Sequence, residues 1–386
     1  MKITNMKLRF LFVALVGLAI HVAAAETLWR QYGFDSAHTS FNPSEAALSP
    51  LTVGRLAPFW QSATFKAIAT SPTLGTGAIF VASDGRVHAF DKQTGAFHWG
   101  RLSCSGEGTQ QPAFGRDSLI VGDGGGDLAA YKPFNGKQVW CDDESGSIDS
   151  APAIAGDAVF ITNGVEAVAI DQSTDFQHWR FHSADFRRLT TTPAIANGVV
   201  FVTGENSVFA LDGVTGKKLW RTNLGPQANI SSPSIANGIV YIGGTALYAL
   251  SAADGHLIWK NQSVGVNVST PAIANGRVFV NSQDPSFGLW AFDAANGTFL
   301  WKQERPGESL ATVTVANGVV YDIAETGELM MFDEVHGTFL SSIKDPDGKP
   351  FNADFGSQPI VADGVVYVST GDFSSPNRVD AFRLGP

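Results

Sequence analysis

Sulfur, charge and long apolar runs are all scarce in this chain. Cysteine occurs twice and methionine four times in 386 residues, and only 16% of residues are charged. Two cysteines are too few for a disulfide-built scaffold, and there is no Cys-x-x-Cys-His to attach a c-type haem. No G-x-S-x-G, Walker loop or His-Glu-x-x-His occurs, which removes the common hydrolase, nucleotide and zinc-protease signatures. Basic residues are outnumbered, 26 against 36 acidic, and nowhere do they gather with interleaved aromatics, so a phosphate backbone is repelled and nucleic acid is excluded as a partner.

The apolar run at 10–20 is too short to cross a bilayer. It follows Lys2, Lys7 and Arg9 and precedes Ala23, Ala24 and Ala25, so 1–25 reads as a cleaved secretion signal. Its loss makes the formal charge of −10 three units more negative. No cysteine follows the run to carry a lipid. The expectation is a soluble, monomeric protein, periplasmic or secreted after cleavage, with no transmembrane segment.

What is abundant is glycine, 41 residues, spread through a recurring frame. At 191–220 four short strand-like runs are separated by turn chemistry: Asn197-Gly198 suits a type I′ hairpin, and Asp212 with Gly216 suits an Asx-type turn before Trp220. The closing aromatic recurs at Trp60, Trp99, Trp140, Trp179, Trp220, Trp259 and Trp301, with Leu340 in the eighth place, a period of about 40 residues. The opening residue recurs at Pro72, Pro112, Pro152, Pro193, Pro233, Pro271, Val313 and Pro359. Openings and closings are out of phase, because the chain starts with a closing strand at 56–61 and ends with three strands that lack one. The frame therefore predicts an all-β, eight-bladed β-propeller of four-stranded antiparallel blades over 56–386, its ring closed by an N-terminal strand that completes the last blade. Each repeat tryptophan is expected to lie flat on the next blade as a structural lock, and the repeated aspartate to cap a turn.

The stretch 26–55 reads as irregular, yet Trp29, Tyr32, Phe34 and Phe41 need burial, so it is expected to pack across the ring. Asp35 and His38 within it suggest a local hydrogen-bonded turn ahead of a catalytic or metal role. Cys104 and Cys141 follow the closing strands of two successive blades; in an oxidising compartment they form a disulfide, the alternative being two free buried thiols.

The repeats also carry a resemblance. Ala89-Phe90-Asp91 with Thr94-Gly95 and Trp99, Ala210-Leu211-Asp212 with Thr215-Gly216 and Trp220, and Ala291-Phe292-Asp293 with Gly297 and Trp301 resemble the repeat of the pyrroloquinoline-quinone (PQQ) family of propellers. The resemblance covers essentially the whole chain after Leu56. It implies one of two classes. In the dehydrogenases of alcohols and sugars, the quinone lies over the ring axis with calcium and a carboxylate base, and many members have a disulfide between sequence-adjacent cysteines. In the non-catalytic class, of the BamB-like outer-membrane-assembly kind, the bare ring is an interaction platform. No adjacent cysteine pair is present here.

Residues able to carry chemistry should stand in the connections before each opening strand, which face one end of the channel. These offer Lys66, Gln110, Asp149, Arg188, Asn229, Asn267, Glu308 and Asp354, with Asp149 or Asp354 as a base and oxygen ligands for calcium. The leading expectation is an exported, non-catalytic scaffold for a protein partner in the cell envelope. The alternatives are a minimal PQQ- and calcium-dependent oxidoreductase, and a propeller that binds a carbohydrate or other small molecule.

Overall fold

The computed structural model describes residues 26–385 apart from 64–69, 145, 184–188, 205, 226–229, 267, 284–286, 305–308, 310, 325, 349–350, 352–356 and 371–376. Alternating apolar runs separated by tight turns fold as eight antiparallel sheets arranged as the blades of a β-propeller. The fourth blade shows the pattern: Ala194–Ala196, Val199–Gly204, Ser207–Asp212 and Lys218–Asn223 pair in sequence order from the channel outward. Asn197 and Gly198 turn the first hairpin with φ of 52° and 77°, the left-handed pair that a type I′ turn requires.

The innermost strand begins later than the apolar pattern suggests. Pro193 has no N–H to give, and the side chain of Thr191 supplies what the backbone lacks. Its hydroxyl accepts from the Thr203 amide at 3.3 Å and donates to the Thr203 carbonyl at 3.0 Å. Thr70, Ser150 and Ser269, each two residues before a repeat proline, likewise accept from an amide of the second strand, and Ser231 from that of Gly243 just past it.

Leu56–Gln61 pairs antiparallel with Arg378–Leu384, so the first long strand of the chain completes the eighth blade. The ring is closed by hydrogen bonds between the two ends of the polypeptide. One blade is larger than the repeat implies: Phe41–Asn42 adds a parallel fifth strand on the inner edge of Thr314–Ala316 in blade seven.

Apolar side chains pack between blades. Phe160 and Trp179 of the third blade join Ile195, Val200 and Val202 of the fourth in one buried cluster, and the other blade pairs are built alike. Each blade thus buries its faces against its neighbours, which lets one domain outgrow a single core. Every repeat tryptophan donates its indole N–H across to a carbonyl of the following blade: Trp60 to Lys92, Trp99 to Pro133, Trp140 to Gln172, Trp179 to Gly213, Trp220 to Ala252, Trp259 to Ala294 and Trp301 to Glu334, all at 2.8 to 3.2 Å. The ring lies on the turn glycine. A Cβ at Gly216 would stand 2.6 Å from Trp179, and this glycine also has φ of +69°. Asp212 caps the same turn, accepting from the amides of Val214 and Thr215 and from the Thr215 hydroxyl.

Cys104 and Cys141 are bonded, with Cα atoms 6.6 Å apart, tying the outer side of blade one to that of blade two. Among the described residues no helix is long and apolar enough to cross a membrane.

Candidate functional site

The eight innermost strands line the channel. Such a strand pairs with its blade on one side only, so its other edge leaves backbone groups that need partners. The segment 29–42 supplies them to every blade, in chain order around the ring. Leu74 and Phe114 donate their amides to the carbonyls of Trp29 and Arg30 at 2.8 and 2.6 Å. Ile154 is met by a side chain: its amide donates to Gln31 Oε1 at 2.6 Å and its carbonyl accepts from Gln31 Nε2 at 3.3 Å. Ile195, Ile235, Ile273 and Val315 donate to the carbonyls of Ser36, Ala37, Thr39 and Ser40 at 2.6 to 2.9 Å. The Val361 carbonyl accepts from Asn42 Nδ2 at 2.8 Å. The start of this plug is fixed by Lys92, almost wholly buried, whose ammonium lies 2.5 Å from Glu26 and 2.9 Å from Asp363.

Between Gln31 and Ser36 the segment leaves the wall in a turn. The Asp35 carboxylate caps it, accepting from the amides of Ala37 and Thr39 at 3.1 and 3.0 Å and from the Thr39 hydroxyl at 2.8 Å. Burial pushes the Asp35 carboxyl above its usual range, and these bonds pull it back. Tyr32 projects from the turn to the level of the residues before the repeat prolines. Its hydroxyl lies 3.0 Å from Thr312 Oγ1. Burial raises its phenol above the ordinary range, against hydrogen bonding with Thr270, Thr312 and Ser232. His38 meets Tyr32 edge to face at 5.1 Å and bonds the Pro233 carbonyl through Nδ1 at 3.0 Å. A carbonyl only accepts, so Nδ1 carries the proton and Nε2 is a bare acceptor, buried with no hydrogen-bond partner. Burial holds this imidazole down to about 4, hence neutral at physiological pH.

The wall at this level is Ser71, Gln111, Ala151, Thr192, Ser232, Thr270, Thr312 and Gln358, all buried and all uncharged. These groups serve blade-to-blade bonding: Ser71 Oγ accepts from the Gln358 amide, Ser232 Oγ from the Thr192 amide, and Gln358 Nε2 donates to the Val313 carbonyl. A quinone bearing three carboxylates with calcium calls for cations and oxygen anions together. Among the described residues this wall offers neither, and no group of three His, Cys, Asp or Glu stands in metal-binding proximity. The described donor set therefore does not fit that cofactor.

Of the eight candidates in the connections before the opening strands, two are described. The Gln110 amide donates to the Gly122 carbonyl at 2.9 Å, and Asp149 Oδ1 accepts from Ser147 Oγ at 2.6 Å. Lys66, Arg188, Asn229, Asn267, Glu308 and Asp354 lie outside the described residues. Gln31 and Gln358 were not singled out from the sequence, and Tyr32 only as an aromatic that needs burial. The visible signal was an amide or hydroxyl side chain just before most of the repeat prolines.

A family model described as outer membrane protein assembly factor BamB matches 56–203, 164–244 and 204–380. The chain belongs to that family. No curated protein sequence matches it. Solved structures share the fold at low identity. BamB from Moraxella catarrhalis superposes with a TM-score of 0.65 and 15% identity, covering 85% of this chain and 97% of that one. A quinohemoprotein alcohol dehydrogenase from Pseudomonas putida HK5 gives 0.77 and 14%, covering 93% and 80%. A europium-containing methanol dehydrogenase gives 0.77 and 13%, covering 93% and 98%. The BamB family and the quinoprotein dehydrogenases thus share one ring, and the ring alone does not separate them.

Proposed function

We propose that this BamB-family propeller is a non-catalytic scaffold of the cell envelope, exported by the leader at 1–25, that docks a protein partner. The observation that carries this reading is the use the chain makes of its own channel. The segment 29–42 ties all eight inner strands together, and Tyr32 rises from it among uncharged wall residues already engaged with one another. That arrangement closes the axis with protein and leaves the surface of the ring as the part able to meet another molecule.

Two measurements test the reading together. The mature chain is mixed with PQQ and Ca²⁺ and assayed for a bound-quinone spectrum and for dye reduction with alcohols and sugars; neither is expected, and stoichiometric quinone binding would overturn the proposal. The tagged mature chain is also cross-linked in envelope extracts, where one protein is expected to be recovered reproducibly. Failure to recover any would count against a scaffold.

A further inference from the structure

Blade two breaks the repeat on the face that carries the inner hairpin turns. Seven blades turn that hairpin with a residue of positive φ, such as Gly77, Gly156, Asn197 or Asp363, whereas blade two has Arg116 and Asp117. In blades one and three to seven, the amide one residue past the repeat-aspartate position donates to the hairpin turn of the same blade, as Lys92 does to Gly77 and Gln172 to Asp157. Blade two has Pro133 there and can donate nothing. The next residue, Phe134, is 84% exposed, and Phe176 on the matching turn of blade three is 66% exposed.

Where the plug meets the inner strands of blades two and three, a cavity of about 410 Å³ is lined by Arg30, Gln31, Phe114, Arg116 and Ile154. Its chemistry is cationic over an apolar floor. The Arg30 guanidinium lies over the Phe114 ring at 5.6 Å and donates to the Gly115 carbonyl, the residue next to Arg116, at 3.5 Å. Among the described residues no carboxylate lies within ion-pair distance of Arg30. The Arg116 side chain pairs with Asp157 at 3.1 Å, both mostly exposed, so the pair is weak and open to exchange, while the Arg116 amide donates to Gln172 Oε1 at 3.1 Å. In a chain with a formal charge of −10, two arginines converging on one cavity oppose the prevailing sign.

We propose that this cavity is the docking site for an acidic, extended segment of a protein partner, one carboxylate taken by Arg30 and Arg116 and a flanking apolar side chain by the floor of Phe114 and Ile154. Arginine suits a bidentate carboxylate, and Phe114 beneath Arg30 supplies the apolar contact that small interfaces rely on. The proposal deepens the scaffold reading by naming the face and the partner's chemistry.

The probe is a fluorescein-labelled synthetic peptide of alternating Phe and Asp, titrated into the mature chain, with a Phe-Lys peptide as control. Saturable binding of the Asp peptide alone is expected, weakened about ten-fold or more by Arg30→Glu with Arg116→Glu, which should in turn bind the Lys peptide. Arg116→Glu alone, on an exposed turn, gives the same direction should the double variant fold poorly. Equal affinity of wild type and variants overturns the proposal. So does complete displacement by inorganic phosphate, or equal binding to phosphatidylglycerol vesicles, since either would mark a general anion site. Should the envelope cross-linking recover a partner that Arg30→Glu with Arg116→Glu still binds, the scaffold reading stands and this face falls.

Discussion

The ring is held together twice, at its rim and at its axis, by devices of opposite kinds. At the rim, seven tryptophans each span to the following blade, so every lock is local and repeats with the sequence. At the axis a single segment, 29–42, reaches all eight blades, and its end at Phe41–Asn42 joins blade seven as a strand. Rim cohesion is distributed; axial cohesion is concentrated in a strand of chain that the repeat does not encode. The two differ in what a single change should do.

The largest effect should follow removal of 26–42. Trp29, wholly buried, is lost at about 3–5 kcal/mol, with eight hydrogen-bonded contacts at about 1 kcal/mol each. That rivals the ~5–15 kcal/mol of a whole domain. The expected result in calorimetry is loss of the cooperative transition, or a melting temperature lower by roughly ten degrees or more. A shift of a degree or two would show the axial tie to be dispensable.

Next is a rim lock. Trp179→Ala should cost about 3–5 kcal/mol by denaturant titration while unfolding stays cooperative, since six other locks remain. Reducing the Cys104–Cys141 bond, which closes a loop of sequence separation 37, should cost about 3–4 kcal/mol by chain entropy and compare directly with it.

An axial pH effect of similar size is expected. His38 is held down to about 4 by burial against an ordinary 6.5, so the unfolded chain takes up its proton first as pH falls. Stability from this group is intact above pH 6.5 and declines until the pH reaches about 4, by about 3 kcal/mol in all. A His38→Gln variant should lose correspondingly less over that window, and parallel pH curves for the two would refute the assignment.

The smallest effects sit in the turns beneath the rim. Gly216→Ala meets the Trp179 ring and a left-handed backbone and should destabilise by about 1–3 kcal/mol. Asp175 occupies the same turn position in blade three at φ of 60°, so Asp175→Gly should stabilise by up to about 1 kcal/mol.

The rim was legible in the sequence and the axis was not, for a physical reason. Tryptophan, the capping aspartate and the turn glycine recur because each blade must solve the same packing problem, so their period announces both the fold and the seam at Leu56–Gln61. The plug meets each blade mainly through backbone carbonyls, which any residue carries, and the spacing of Trp29, Arg30, Gln31 and then Ser36 has no period to detect. Only its aromatic content signalled that 26–55 needed burial. Asp35 and His38 drew attention as titratable neighbours; the first caps a turn and the second seals the channel wall. The candidates before the opening strands followed from blade position alone, and the two described ones bond to their own strand and loop. Blade two's Arg116 stood out only once seven other hairpins could be laid beside it.

The central claim, that one segment ties all eight blades at the axis, is tested most directly by native-state hydrogen exchange at the amides of Leu74, Phe114, Ile154, Ile195, Ile235, Ile273 and Val315. The account predicts slow exchange at all seven, close to the global unfolding limit. Rapid exchange at any group of consecutive blades would show the segment undocked there and contradict it.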